Sequence, residues 1–151
     1  MSNWTHVAAV VRVDHIRIPN EWERSPTAPP MTSTGEIDFD KVFGRECIDL
    51  GSRYCSSPED WRDLDAHPEK YLPAGSEGTL QKSVWTCRSP SFTGRYTVSI
   101  FGDLRDHDDP DAIVDWFKEK IKHLWIRQAV ITVENEMHGV RTWAWEFTDN
   151  N

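Results

Sequence analysis

Residue types that bind metal ions are concentrated between a predicted strand and a predicted helix. Five aspartates and one histidine fall within the nine residues 103–111. Carboxylate oxygens are the preferred ligands of Mg²⁺, Mn²⁺ and Ca²⁺, and an imidazole can add a nitrogen ligand. The sequence therefore predicts a candidate divalent-metal site with four ligands, namely Asp103, Asp106, His107 and Asp108.

The same run also has a structural interpretation. Asp109 is a typical N-cap for a helix that begins at Pro110. Asp108 and Asp111 would then lie at the positive end of the helix dipole. The spacing does not match an EF-hand, because no candidate start combines a glycine at the sixth position with a glutamate at the twelfth. Capping and solvation are therefore favoured, and metal binding is the alternative.

No other pattern in the chain indicates catalysis. The six histidines show neither HxH nor HExxH spacing, so no zinc site can be recognised. A GxSxG nucleophile motif and a glycine-rich phosphate loop are both absent from the sequence, and no cysteine has a catalytic context. We therefore expect no catalytic residue and no cofactor, apart from the alternative of a divalent metal.

Tryptophan is unusually frequent, with eight residues in a chain of 151. Near the C-terminus, Trp143, Trp145 and Phe147 alternate with other residues, so they would share one face of a strand. Under a helix this face would be core. On an uncovered face it would bind a partner, because tryptophan is enriched at interface hot spots. The predicted interaction surface consists of Trp143, Trp145, Phe147 and the neighbouring Arg141.

The charge restricts the partners. The net charge is −8, from 25 acidic and 17 basic side chains. This argues against broad contact with a nucleic-acid backbone, which requires lysine and arginine to release counterions, and against an anionic membrane surface. No stretch approaches the roughly 20 apolar residues of a membrane span, and the first residues do not resemble a signal peptide. We expect a protein partner or a homo-oligomer, and no membrane.

The cysteines indicate a reducing compartment. There are three, at positions 47, 55 and 87, and their spacing matches neither a zinc knuckle nor a redox motif. An odd number of cysteines without paired spacing is typical of free thiols, which predicts a cytoplasmic location.

Hydrophobic periodicity predicts five strands and one principal helix. The strands are predicted over residues 5–18, 79–87, 95–101, 126–134 and 140–147. The helix is predicted over 110–124, with an apolar stripe and with lysines at its C-terminal end. Two shorter helices are predicted in the irregular region that follows the first strand, one capped by Asp38 and one over 58–66.

This element order is typical of a single α+β domain over residues 1–151, with a mainly antiparallel sheet of about five strands and helix 110–124 on one face. The crossovers favour a ferredoxin-like, split βαβ arrangement with an added C-terminal strand and a long irregular insertion after the first strand.

These features predict a small acidic, non-enzymatic protein-interaction domain that binds a partner or associates with itself. Its size and its lack of motifs suggest an accessory or inhibitor protein of a phage or mobile element. The alternative is a divalent-metal-binding domain or metal-dependent enzyme that uses the loop at 103–111. A small-ligand pocket lined by tryptophan and tyrosine is a third class.

Overall fold

The computed structural model describes residues 2–16, 29–43, 47–49, 66, 72, 77–88 and 93–146 of the chain. Within these residues the elements in chain order are β1 (Trp4–Ile16), α1 (Phe39–Phe43), β2 (Cys47–Asp49), β3 (Glu77–Arg88), β4 (Thr93–Arg105), α2 (Pro110–Ile121), β5 (Ile126–Asn135) and β6 (Gly139–Ala144). The predicted helix over 58–66 lies outside the described residues, except for Ala66.

The strands form one sheet in the order β2-β3-β4-β1-β5-β6. Strand β1 is central and pairs along its whole length with β4, and on its other side with β5. All the pairs in the sheet are antiparallel. The predicted α+β class with a mainly antiparallel sheet is therefore confirmed. The three-residue edge strand β2 was not predicted, because so short a segment carries no periodicity.

The two faces of the sheet differ sharply in burial. Neighbouring residues of a strand point to opposite faces, and the buried strand residues all lie on one of them, the inner face. Its apolar members are Val7, Ala9, Val11 and Val13 of β1, Leu80 of β3, Tyr96, Val98, Ile100 and Leu104 of β4, and Ala129, Ile131 and Val133 of β5. The hydrophobic core lies against this face, and the opposite, outer face is largely exposed.

Strand β4 continues beyond its predicted end. The sequence suggested that Gly102 and Asp103 interrupt the alternation, but pairing with β1 and β3 extends to Arg105. A Cβ atom at Gly102 would lie 2.4 Å from the carbonyl oxygen of Thr79, so only glycine permits this approach of the two backbones. Gly102 therefore extends the strand instead of ending it.

Helix α2 begins where its sequence signals predict. The side chain of Asp109 accepts a hydrogen bond from the backbone N–H of Ala112 at 3.1 Å, and Pro110 occupies the first turn. The helix ends at Ile121, three residues before the predicted end, because the chain is already joining the sheet: the carbonyl of Trp125 accepts from the N–H of Asp14. Among the described residues, no helix has the length and apolarity to cross a membrane.

Buried aromatic rings join the two helices. Asp38 caps α1 as predicted, since its side chain accepts from the backbone N–H of Lys41 at 3.2 Å. The ring of Phe43 lies 6.4 Å from that of Trp116, centroid to centroid. Trp116 is 7% exposed and so belongs to the buried side of α2.

Candidate interaction surfaces

A groove of about 700 Å³ lies where the C-terminal end of α2 meets the start of β5 and the end of β6. Trp125, Trp143 and Trp145 are half-buried around it. We call this site the tryptophan groove. Its other lining residues are the apolar Ile121, Leu124 and Ile126, the basic Lys118, Lys122 and Arg127, and the acidic Asp14.

Strand pairing holds Trp143 in the wall of the groove. It lies opposite Ile131 in the β5–β6 register, so it shares the inner face with buried residues. Its ring meets that of Phe117 edge-on, with centroids 6.2 Å apart. The Nζ of Lys118 lies 5.4 Å from the centroid of Trp143. Trp143 therefore packs on helix α2 and still borders the groove.

The pairing continues one residue past β6. The backbone N–H of Trp145 donates to the carbonyl of Ala129 at 2.9 Å, which brings Trp145 to the same wall as Trp143. Trp143 and Trp145 thus lie on the same side, as predicted. That side packs partly against the core and is partly exposed. Phe147, the third predicted member, lies outside the described residues.

Arg141, the fourth predicted member, lies outside the tryptophan groove. Its Nε is 3.1 Å from a carboxylate oxygen of Asp111, and its guanidinium donates to the carbonyls of His138 and Val140, each at 3.2 Å. By its register it shares the inner side of β6 with Trp143, but it does not line the tryptophan groove. Its contacts tie the β5–β6 turn to the N-terminal end of α2.

The groove carries positive charge in an acidic protein. Three of its lining residues are basic and one is acidic. Lys122 is bonded to Glu119, which lowers the pKa of that carboxyl group, and Arg127 is bonded to Asp14. Exposed ion pairs of this kind contribute little to stability. Carboxylates of an acidic partner could therefore replace Glu119 and Asp14 at a small cost in free energy.

The aspartates of the 103–111 run lie at the other end of α2, together with Glu134 and Glu136. We call this region the acidic end. His6 lies among its carboxylates: Nδ1 is 2.6 Å from Asp103, and Nε2 is 3.6 Å from Glu136. The hydrogen bond with Asp103 is the main reason that the pKa of His6 is raised, and the negative charges of Asp103, Glu136 and Glu134 add to it.

The other predicted metal ligands have separate environments. Asp106 accepts from the backbone N–H of Asn3 at 3.2 Å, and its own N–H donates to the Asn3 carbonyl at 2.7 Å. The side chain of His107 is buried, whereas Asp108 is exposed. In the part of the chain that the structure describes, no three His, Cys, Asp or Glu residues are grouped so that they could hold a metal ion. Metal binding by this loop stays a prediction from sequence.

The outer face carries two aromatic residues that the sequence interpretation missed. Trp85 of β3 is 60% exposed and Phe101 of β4 is 50% exposed. The signal was present in the alternation, because Phe101 is out of phase with the buried Val98 and Ile100. Trp85 lies in the strand predicted over 79–87, and the pairing of this strand with β4 places it on the outer face.

Comparison of the chain with known protein families, with curated proteins and with solved structures finds no match. The tryptophan groove and the outer face are therefore the features from which a function is inferred.

Proposed function

We propose that this protein is a non-enzymatic protein-interaction domain, and that the tryptophan groove receives an apolar side chain of a partner protein flanked by acidic residues. The observation that carries the proposal is the composition of the groove. Three half-buried tryptophans and three basic residues surround it, in a chain whose net charge is −8.

The tryptophans supply the binding energy in this proposal. Tryptophan offers a large, rigid surface and is enriched among the residues that dominate protein interfaces. Trp143 is held by Phe117 and Lys118, so it needs little ordering when a partner binds. The volume of about 700 Å³ is in the range of established ligand sites and can hold a large apolar side chain with its neighbours.

The basic residues supply selectivity. Lys118, Lys122 and Arg127 border the apolar surface, so a segment with carboxylates on both sides of its anchor would meet opposite charge. Charges at the rim of an interface mainly change the association rate and its salt dependence. Binding should therefore be faster and tighter at low ionic strength.

A peptide series tests this proposal. We expect fluorescein-labelled peptides with a central tryptophan or leucine between aspartates to bind, as measured by fluorescence anisotropy. The same anchors between lysines should bind at least about tenfold more weakly. Trp145→Ala and Lys118→Glu should each reduce binding of the acidic peptides, whereas Lys41→Glu, a matched charge reversal outside the groove, should not. Equal binding of the acidic and basic series would refute the proposed partner.

We further infer that the core has a ferredoxin-like arrangement with β6 as an added edge strand and α2 on the inner face. The support is the strand order, since β1 lies between β4 and β5, β3 and β4 form a hairpin, and α2 connects β4 to β5. Buried residues of α2 and of β5 belong to one hydrophobic cluster. Nuclear Overhauser contacts between Ile113 or Phe117 and the inner-face residues of β5 would test this packing.

We also propose a cytoplasmic location and an accessory or inhibitor role in a phage or mobile element. The odd number of cysteines supports the location, because free thiols persist in reducing compartments. Thiol titration of denatured protein prepared without reductant should find all three cysteines reactive. A disulfide in protein isolated from its natural source would contradict the location.

A further inference from the structure

The outer face of the sheet is divided into three zones along the strands. At one end, Asp103, His6 and Glu134 are neighbours across β4, β1 and β5. At the other end lie two exposed arginines, Arg12 of β1 and Arg95 of β4, together with Asp14, which lies opposite Arg95 and forms an ion pair with Arg127. Between them is a central zone of small and apolar residues: Ala8, Val10, Ser99, Phe101, Val130, Thr132, Thr142 and Ala144.

The charged zones have capacity for a partner. Neither Arg12 nor Arg95 forms an ion pair with another described residue, and the same holds for Glu134. At the acidic zone, three carboxylates surround the single imidazole of His6. Arg105, which follows Asp103 on this face, lies 3.7 Å from a carboxylate oxygen of Asp106. One end of this face therefore has an excess of positive charge and the other an excess of negative charge, with an uncharged surface between them.

We propose that two copies of this chain associate through their outer faces, related by a two-fold axis that lies in the plane of the sheet and perpendicular to the strands. This axis reverses the strand direction, so Arg12 of each copy lies opposite the acidic zone of the other. A two-fold axis parallel to the strands would instead bring acid against acid. Charge complementarity therefore selects one of the two aligned arrangements.

The sizes of the side chains fit the same axis. The symmetry centre falls at the level of Ala9 of β1, so the protruding Phe101 of one copy lies opposite the small Ser99 of the other. Val10 lies opposite Ala8 in the same way. The exposed Trp85, which lies in the same row of pairing as Arg12, lies opposite Thr79. Large residues thus meet small ones, as sheet-on-sheet packing at about 10 Å requires.

The area is sufficient for a reversible dimer. Five strands at about 4.8 Å spacing, over about seven residues at about 3.3 Å each, give a flat face on the order of 500 Å² per copy. A standard interface buries about 800 Å² per partner. The protruding side chains of Trp85 and Phe101 add to this flat area, so the buried area comes closer to the standard value. We therefore expect a dimer of moderate affinity.

Light scattering coupled to size exclusion, together with sedimentation velocity over a wide concentration range, tests the dimer. The intact chain should have about twice the mass of one copy at high concentration and dissociate on dilution. Phe101→Glu, Arg12→Glu and Glu134→Arg should each weaken association by at least about tenfold. Lys118→Glu, in the tryptophan groove, is the matched control and should leave association unchanged.

Charge exchange makes the test specific for the proposed axis. In an equimolar mixture of Arg12→Glu and Glu134→Arg chains, both contacts between unlike copies are attractive again, so a heterodimer should form. The double variant carrying both changes in one chain should also recover its homodimer. A monomeric intact protein at every concentration would overturn the proposal, as would association that these exchanges do not affect. Because the groove lies on the inner side, peptide binding there is measured independently on the Phe101→Glu variant.

Discussion

The acidic end and the tryptophan groove lie at opposite ends of helix α2 and use their conspicuous residues in opposite ways. At the acidic end, Asp106, Asp109 and Asn135 hydrogen-bond to backbone groups of the chain. At the groove, large aromatic rings are only half covered, and the basic residues beside them form exposed ion pairs. These contacts of the acidic end hold the fold together, whereas the rings of the groove keep surface that a partner could cover.

Asn135 anchors the backbone at the acidic end. Its amide nitrogen donates to the hydroxyl of Thr5 at 2.9 Å and to the carbonyl of His107 at 2.7 Å. Its amide oxygen accepts from the N–H groups of Met137 and His138 at 2.9 and 2.8 Å. An amide side chain has two donors and two acceptor positions, and all four are used here. This network fixes the β5–β6 turn to the residues around His107.

The largest expected effect comes from breaking this network. We expect Asn135→Ala to lower the free energy of unfolding by about 3 kcal/mol, because the Thr5 hydroxyl and the His107 carbonyl would remain buried without this partner. In this variant, water can hydrogen-bond to the N–H groups of Met137 and His138 in the β5–β6 turn, so these groups contribute less to the loss of stability. Urea denaturation monitored by circular dichroism measures the change.

The matched control is Asp108→Ala, in the same loop but exposed, which should change stability by no more than about 0.5 kcal/mol. If both variants lost the same stability, the hydrogen bonds of Asn135 would not be the main stabilising contacts of this region.

A smaller loss is expected at the start of α2. Asp109→Ala removes the acceptor for the N–H of Ala112 and should cost about 1 kcal/mol, whereas Asp109→Asn retains an N-cap and should cost less. Thermal and urea unfolding of the two variants measure the difference. An Asp109→Ala protein as stable as the parent would show that the carboxylates of this run have some other role.

These features were predictable from the sequence because they depend on local chemistry. An aspartate before a proline fixes the start of α2, Asp38 caps α1, and the alternation in residues 7–13 identifies one strand with a buried and an exposed side. Each of these patterns spans a few neighbouring residues, so it can be recognised without knowledge of the rest of the fold.

The location of the binding surfaces was not predictable in the same way. Alternation shows that Trp143 and Trp145 share a side, but whether a helix covers that side depends on packing between distant segments. Alternation with the apolar Val98 and Ile100 places Phe101 on the other side of its strand, but whether other elements cover that side again depends on distant segments. The ion pair of Arg141 with Asp111 also joins distant segments, since Asp111 lies 30 positions earlier in the chain.

At the groove, loss of a single contact should have a modest effect on stability. Lys118→Ala removes a cation from the face of Trp143 and should cost about 0.5 kcal/mol, since an exposed cation–π contact contributes about this much. Lys118→Arg should retain it. Urea denaturation gives the stability, and anisotropy with the acidic peptides gives the binding. We expect the loss of peptide binding to exceed the loss of stability, which is the reverse of the pattern expected for Asn135→Ala.

The smallest effect is the pH dependence at His6. Its pKa is raised from 6.5, first by the hydrogen bond with Asp103, so the protonated form stabilises the folded state. This contribution is fully present below about pH 6.5, the value for an unperturbed histidine, and is lost as the pH rises through the raised folded-state pKa.

Titration of the His6 ring protons by nuclear magnetic resonance should give a pKa above 6.5. Asp103→Asn should lower that pKa by more than Glu136→Gln, because Asp103 contributes both a hydrogen bond and a charge while Glu136 contributes a charge alone. Equal shifts in the two variants would mean that the field of the whole acidic end, and not the 2.6 Å contact, determines the protonation of His6. The acidic end would then act on His6 through its summed charge, in the way that the rim of the groove is proposed to act on a partner.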